Sequence, residues 1–295
     1  GVARHGNQLV ACASLESTSS HFIFRTASGE HAITSNAEQP APTPRPHITH
    51  VTERGLPTAL LLPEQHDGGS LPVIMSPYGG PHGQRVISAA SAYLTEQWIA
   101  NRGYAVLVVD GAGTPGRGPD NERLVSGDLA GPILDDQVAA LHAIAAQHPE
   151  LDLHHVGIRG WSFGGYLAAL AVLDRPDVFH AAVAGAPVTD WRLYDTAYTE
   201  RYLGNPAMND EPYARTDLIT RAPHLTRPLL LIHGLADDNV VAAHTLQLSH
   251  ALLAAGREHQ VLPLSGITHM TPQEIVAENL LLLEMSFFDT HLRGL

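Results

Sequence analysis

Ser162 stands in GWSFGG (160–165) between Gly160 and Gly164. The G-x-S-x-G spacing is that of a nucleophile on a sharp strand-to-helix turn, where glycines relieve crowding and the next helix aims its free N–H groups at the reacting atom. A serine hydroxyl attacks poorly until a base takes its proton, and a histidine does so best when an acid orients it. HGLADDNV places Asp237 and Asp238 directly after the apolar run PLLLI, and His269 follows the last strand-like run in SGITHMTP. Of the other histidines beyond the acidic loop, His244 and His250 fall in a helical run, His259 starts a strand and His291 lies in the terminal tail. That leaves His269 as the candidate base, whereas spacing alone leaves Asp237 and Asp238 both open as the acid. Acyl transfer also needs donors for the oxyanion, and the backbone N–H of Phe163, next after the serine, is one.

These residues need a frame that ends several chain segments at one place. Apolar runs at 71–78, 104–111, 155–162, 180–187, 228–234 and 259–266, by their β-branched content and flanking Gly or Pro, read as strands. Amphipathic helical runs alternate with them: SAASAYLTEQWIANRG, ILDDQVAALHAIAAQHP, GGYLAALAVLDRP, VAAHTLQLSHALLAAG and TPQEIVAENLLLLEMSFFDTHL, with Gly103 and Gly256 placed as helix stops. Strands alternating with helices predict a mostly parallel α/β sheet covered on both faces. Asp237 and Asp238 then lie in a loop at the carboxyl end of a strand, where such sheets keep their sites. Ser, then Asp, then His is the chain order of α/β-hydrolases.

The chain has 295 residues, of which 44% are hydrophobic and 16% charged, enough for one large α/β domain and a smaller addition. It has no lysine, so all 17 of its Lys and Arg charges are arginine, and the net charge is −13, a field that disfavours nucleic acid and anionic membrane and suits a peptide or neutral substrate. The single Cys12 can form no internal disulfide. A reducing compartment and a disulfide-free exported protein both stay open, with the cytoplasm as the working expectation. No run is apolar enough to span a membrane, and GVARHGNQLVACASLE lacks a signal-peptide profile. The chain begins at Gly1, so a segment upstream is expected. Near the start, QLVACASL, HFIFRT and HAITS read as three short strands that cannot bury a core alone. The proline-rich seam QPAPTPRPH (39–47) follows as a linker. The division is therefore residues 1–48 as a short β segment with its linker, and 49–295 as the α/β domain.

Taken together, GWSFGGY, HGLADDNV, YDTAYTERYLG and PYGGPHG resemble the catalytic domain of prolyl oligopeptidase-family serine peptidases, and most of all the dipeptidyl peptidase IV subfamily. The resemblance covers roughly residues 50–295 in order. It implies an α/β-hydrolase fold and a Ser162–Asp237–His269 triad with Asp238 a neighbour. Tyr78 is implied as a second oxyanion donor, through its hydroxyl. Trp191, Tyr194 and Tyr198 fall at helical spacing on one face, and the resemblance assigns them, with Val188 and Val240, to a flat pocket for proline. Asn239 is implied as the donor to the preceding substrate carbonyl. Cleavage of peptides after proline, or alanine, follows without metal or organic cofactor. The family's mature enzymes carry an N-terminal β-propeller, of which the three orphan strands would be the last-blade remnant, and the resemblance allows a homodimer. Two departures stand out. Phe163 occupies a position that relatives often fill with tyrosine, and the acidic pair that grips a free substrate amine belongs to the propeller, not to this chain. An oligopeptidase or acylaminoacyl-peptidase mode, a carboxylesterase and an inactive binding protein remain the alternatives. His82, in the same loop as Tyr78, is read as an ordinary loop histidine.

Overall fold

The computed structural model describes residues 2–4, 7–19, 21–34, 36 and 43–295. Residues 39–42 of the proline-rich seam lie outside the described residues. The first segment forms a four-stranded antiparallel sheet, in spatial order β1 (Val2–Arg4), β2 (Asn7–Cys12), β3 (His21–Thr26) and β4 (Gly29–Ile33). The strand β1 adds to the three runs expected. Leu9, Phe22, Phe24 and Ile33, which the strand register puts on one face of this sheet, stay exposed, so that face has no core packed against it. The connection between β2 and β3 does touch the larger unit: Ala90 N–H donates to Ser14 O at 2.8 Å, and Leu15 packs against the core under the α1 side of the main sheet.

The main sheet has eight strands: β5 (His47–Val51), β6 (Leu56–Leu61), β7 (Leu71–Met75), β8 (Ala105–Val109), β9 (Leu151–Trp161), β10 (Ala181–Gly185), β11 (Leu229–Gly234) and β12 (Gln260–Leu264). Its spatial order is β12-β11-β10-β9-β7-β8-β6-β5. Every pair from β12 through to β8 is parallel, while β6 runs antiparallel to β8 and β5 antiparallel to β6. The six strands expected are the parallel part. The β5–β6 hairpin was not read from the sequence, because HITHV offers no clean alternation and the turn at Thr52–Gly55 carries no strong turn signature. Gly55, at φ +61°, takes the left-handed backbone there.

Helices cover both faces: α1 (Leu94–Ala100), α2 (Pro119–Arg123), α3 (Gly131–Ala145), α4 (Phe163–Asp174), α5 (Thr196–Leu203), α6 (Glu211–Thr216), α7 (Ala243–Ala254) and α8 (Glu274–Phe288). A 3₁₀ turn, Ala90–Tyr93, occupies the first part of the first helical run and leaves α1 shorter than expected. Residues 163–173 of α4 are all buried. A helix apolar on every side belongs in the middle of a core, and its alanines and glycines let it lie close to β9 and β10. The strands β8, β10 and β11 are buried throughout, as expected for parallel strands covered on both faces. Gly103 and Gly256 take positive φ just past α1 and α7, where a β-carbon would be strained. Among the described residues no helix is long and apolar enough to cross a membrane.

Candidate active site

The central strand β9 ends at Trp161 and α4 begins at Phe163, so Ser162 is the whole turn. Its backbone sits at φ +59°, ψ −118°, a conformation that crowds any β-carbon and is found where surrounding structure enforces it. Here the enforcement is visible. Ser162 N–H donates to Gly185 O at the end of β10 at 2.9 Å, and Ser162 O accepts from Tyr166 N–H at 2.9 Å. Three glycines make room: a β-carbon at Gly160 would strike Gly164 O, one at Gly165 would strike Gly185 O, and one at Gly164 would lie 2.8 Å from Pro77 O. The Phe163 N–H opens α4 and so has no acceptor within the helix. Because the obstacle at Gly160 is backbone, Gly160→Ala is expected to lower stability by roughly 1–3 kcal/mol or more and to abolish labelling of Ser162 by a fluorophosphonate; thermal unfolding and labelling of the purified variant check both.

Asp237 and His269 meet directly. His269 Nδ1 lies 2.7 Å from Asp237 Oδ2, with the Asp237 side chain 0% and the His269 side chain 17% exposed. The other carboxylate oxygen accepts from the N–H groups of Asn239 and Val240, each at 2.9 Å. A carboxylate oxygen at that distance accepts a hydrogen bond from Nδ1–H, which fixes the proton on Nδ1 and leaves Nε2 as the ring's basic atom. Asp238 is exposed and takes no part. Trp161, the residue before Ser162, donates Nε1–H to His269 O at 2.7 Å, so the histidine loop is tied to the strand that carries the serine. Among the described residues Ser162 Oγ makes no hydrogen bond to the imidazole.

Tyr78 lies in the loop after β7, its ring 5.9 Å from that of Phe163. Gly83 lies so close to the Tyr78 ring, and Gly80 to the Phe163 ring, that a β-carbon at either would collide. Burial raises the Tyr78 phenol pKa, and the nearby Tyr194 and Tyr202 add to it, so the hydroxyl stays a donor. Sequence reading missed what holds this loop: the Asp110 carboxylate, just past β8, accepts from Arg85 N–H at 3.0 Å and Val86 N–H at 2.8 Å.

The aromatic residues converge, though not on one helix as their spacing suggested. Trp191 belongs to a 3₁₀ turn (Trp191–Leu193), Tyr194 is extended at φ −98°, ψ 167°, and Tyr198 lies in α5. The break has a cause: Asp195 caps α5 by accepting from Tyr198 N–H at 2.8 Å, and a cap residue takes extended backbone. Trp191 and Tyr198 stack at 13°, with Tyr194 edge-on to both, and Trp191 is 5.6 Å from Phe163. Val188 and Val240 are buried. Tyr194 Oη donates to Asn239 Oδ1 at 3.2 Å, which turns the amide Nδ2 of Asn239 away as a separate donor. His82 proves to be more than a loop residue: its Nε2 lies 2.7 Å from Tyr202 Oη and its ring 5.3 Å from Tyr198. Burial pushes the Tyr198 phenol pKa well up.

A strained serine ahead of an inner helix, an acid–histidine pair at the carboxyl ends of β11 and β12, and this sheet order define an α/β-hydrolase. The model of the prolyl oligopeptidase family matches residues 90–294, and the chain belongs to that family. Mouse dipeptidyl peptidase 8 is 39% identical over 209 residues, which is 68% of this chain and 23% of that protein. Human prolyl endopeptidase FAP is 32% identical over 214 residues, 71% of this chain and 28% of that one. The crystal structure of Porphyromonas gingivalis dipeptidyl peptidase 4 superposes with a TM-score of 0.87 at 27% identity, over 97% of this chain and 43% of that one. The chain thus spans less than half the length of these relatives.

Proposed function

We propose that the chain is the catalytic part of a serine peptidase that cleaves after proline, or after alanine as a smaller fit, and that the full-length protein releases dipeptides. Ser162 Oγ attacks the scissile carbonyl while His269 Nε2 takes its proton. His269 then gives that proton to the leaving amine, and a water repeats the sequence on the acyl-enzyme. Asp237 orients the ring and stabilises the imidazolium. Tyr78 Oη and Phe163 N–H hold the oxyanion, each donor contributing about 2.7–4 kcal/mol at the transition state. The serine–histidine hydrogen bond tightens when substrate is bound, as such bonds commonly do. The observation that carries the specificity is the cradle of Trp191, Tyr194 and Tyr198 against Phe163, with Val188 and Val240 as its aliphatic walls. A rigid pyrrolidine ring stacks on such faces with little entropy to lose, and Asn239 Nδ2 is free to donate to the carbonyl before it. Sheet β1–β4, with Leu9, Phe22, Phe24 and Ile33 exposed on one face, fits the last blade of a β-propeller, and residues 49–295 form the catalytic domain.

Tyr194→Ala is expected to cut kcat/KM for an X-Pro anilide roughly 10²-fold, from ~2–3 kcal/mol of lost aromatic contact, while hydrolysis of a small acetyl ester changes far less. Equal losses on both substrates would point to structural damage and remove Tyr194 from the proline pocket. The mode is tested on the full-length protein with an X-Pro anilide, free or acylated at its amino terminus. Strong preference for the free amine supports dipeptide release; equal or better cleavage of the blocked form means an oligopeptidase or acyl-peptide mode, a reading that the similarity to a protein named prolyl endopeptidase favours. Failure of a fluorophosphonate to label Ser162 in the folded full-length protein would leave only a binding role.

A further inference from the structure

We propose that His233 is a positioning residue, which holds the Asp237 carboxylate in place by pinning the turn at 237–240; the inference rests on the peptidase reading above. His233 is buried at the end of β11. Its ring is gripped from both sides, Nε2 lying 2.7 Å from Val240 O and Nδ1 2.7 Å from Thr245 Oγ1 on α7. A carbonyl oxygen only accepts, so Nε2 carries the ring proton and Nδ1 accepts from the Thr245 hydroxyl. Burial lowers the His233 pKa below the usual histidine value, in keeping with a neutral ring.

The clamp acts through Val240 on Asp237, three residues earlier. Val240, whose carbonyl His233 holds, gives its own N–H to Asp237 Oδ1, and Asn239 N–H joins it. With Oδ1 occupied, Oδ2 is directed at His269 Nδ1. A relay of hydrogen bonds thus runs from Thr245 on α7, through His233 and the 237–240 turn, to His269. His233 Nε2 is also 3.6 Å from Asp237 Oδ2, too long for a hydrogen bond, but its N–H dipole stands beside the carboxylate. The same clamp fixes Val240 and Asn239, so the acid and one wall of the proline cradle share a single anchor. An aliphatic side chain could fill the volume of the ring, but only a donor at the Nε2 position can hold Val240 O.

The test uses the full-length protein with His233→Leu, His233→Gln and Thr245→Val. The glutamine can place an amide N–H near Nε2, and the valine removes only the hydroxyl that fixes the tautomer. The first readout is the far-downfield proton resonance of His269 Nδ1–H, assigned by its loss in Asp237→Ala. The second is kcat and KM for an X-Pro anilide. His233→Leu is expected to shift or broaden the resonance and lower kcat about 10²-fold, the scale of a misplacement near 1 Å, with KM changed less. His233→Gln should recover most of both, and Thr245→Val should move both in the same direction by a smaller amount. Wild-type resonance and kcat in Thr245→Val, or a glutamine variant no better than leucine, would overturn the proposal; should the leucine variant fail to fold, those two results decide it. A resonance that responds to His233 in a protein without peptidase activity would leave the positioning role standing and remove the peptidase reading. Ser162-dependent hydrolysis with a resonance indifferent to His233 would do the reverse.

Discussion

Ser162→Ala is expected to lower kcat for a prolyl anilide about 10⁶-fold, the scale seen when a triad nucleophile is removed, and to leave stability within about 0.5 kcal/mol of wild type. The two halves of that expectation have separate causes. Activity falls because no other side chain takes the place of Oγ between Phe163 N–H and the imidazole. Stability holds because, among the described residues, Ser162 Oγ makes no hydrogen bond and alanine keeps the β-carbon that the elbow already accommodates at φ +59°. Ser162→Gly should be equally inactive yet at least as stable as the alanine variant, since a β-carbon in left-handed backbone costs roughly 1–2 kcal/mol and the extra chain entropy of glycine offsets only part of it. Stopped turnover with unchanged thermal unfolding in Ser162→Ala is the supporting result. Turnover near the wild-type level would end the nucleophile assignment and with it the peptidase reading.

The parts of this molecule legible in its sequence are those set by neighbours in the chain. The parallel strands are visible because each is a short apolar run with Gly or Pro in or beside it, and the elbow because Gly160, Ser162, Gly164 and Gly165 act on one another across a single turn. Ser162, Asp237 and His269 could be picked out because a parallel sheet brings its strand ends together whatever the intervening loops. The aromatic cradle was legible as a set but not as a shape. Spacing of three and four suggested one helix, yet Asp195 is both two residues past Leu193 and a helix cap, so the chain starts a new helix there and Tyr194 is left extended. What stayed hidden depends on distant partners. His82 meets Tyr202 across 120 residues of chain, and no local pattern marks that pairing. Nothing beside Asp110 in the chain marks it as the acceptor for Arg85 N–H and Val86 N–H, which lie 25 and 24 residues away. His233 looked like part of an apolar run, because Val240 and Thr245 become its neighbours only when β11, the acidic turn and α7 close together.

The choice between the two adjacent aspartates is where geometry speaks most directly, and Asp237→Asn against Asp238→Asn tests it. Asparagine at 237 keeps the shape and one carbonyl oxygen. That oxygen would stay with Asn239 N–H and Val240 N–H, since those donors are fixed in the turn, and the amide nitrogen would then face His269 Nδ1. An amide N–H donates, so Nδ1 would have to accept and the ring proton would move to Nε2. The imidazole would then present a donor where Ser162 needs an acceptor, and the expected loss in kcat is about 10⁴-fold, the scale of the corresponding acid-to-amide change in a serine protease triad. KM should change much less, because the carboxylate touches no substrate. Asp238 is exposed and belongs to none of these hydrogen bonds, so Asp238→Asn is expected to stay within about 3-fold, since a surface change of up to ~0.5 kcal/mol is typical. A large loss at 238 with 237 spared would swap the assignment. Comparable losses at both would mean that the turn acts as a unit, and the hydrogen bonds from Asn239 and Val240 would then matter more than the identity of the acid they hold.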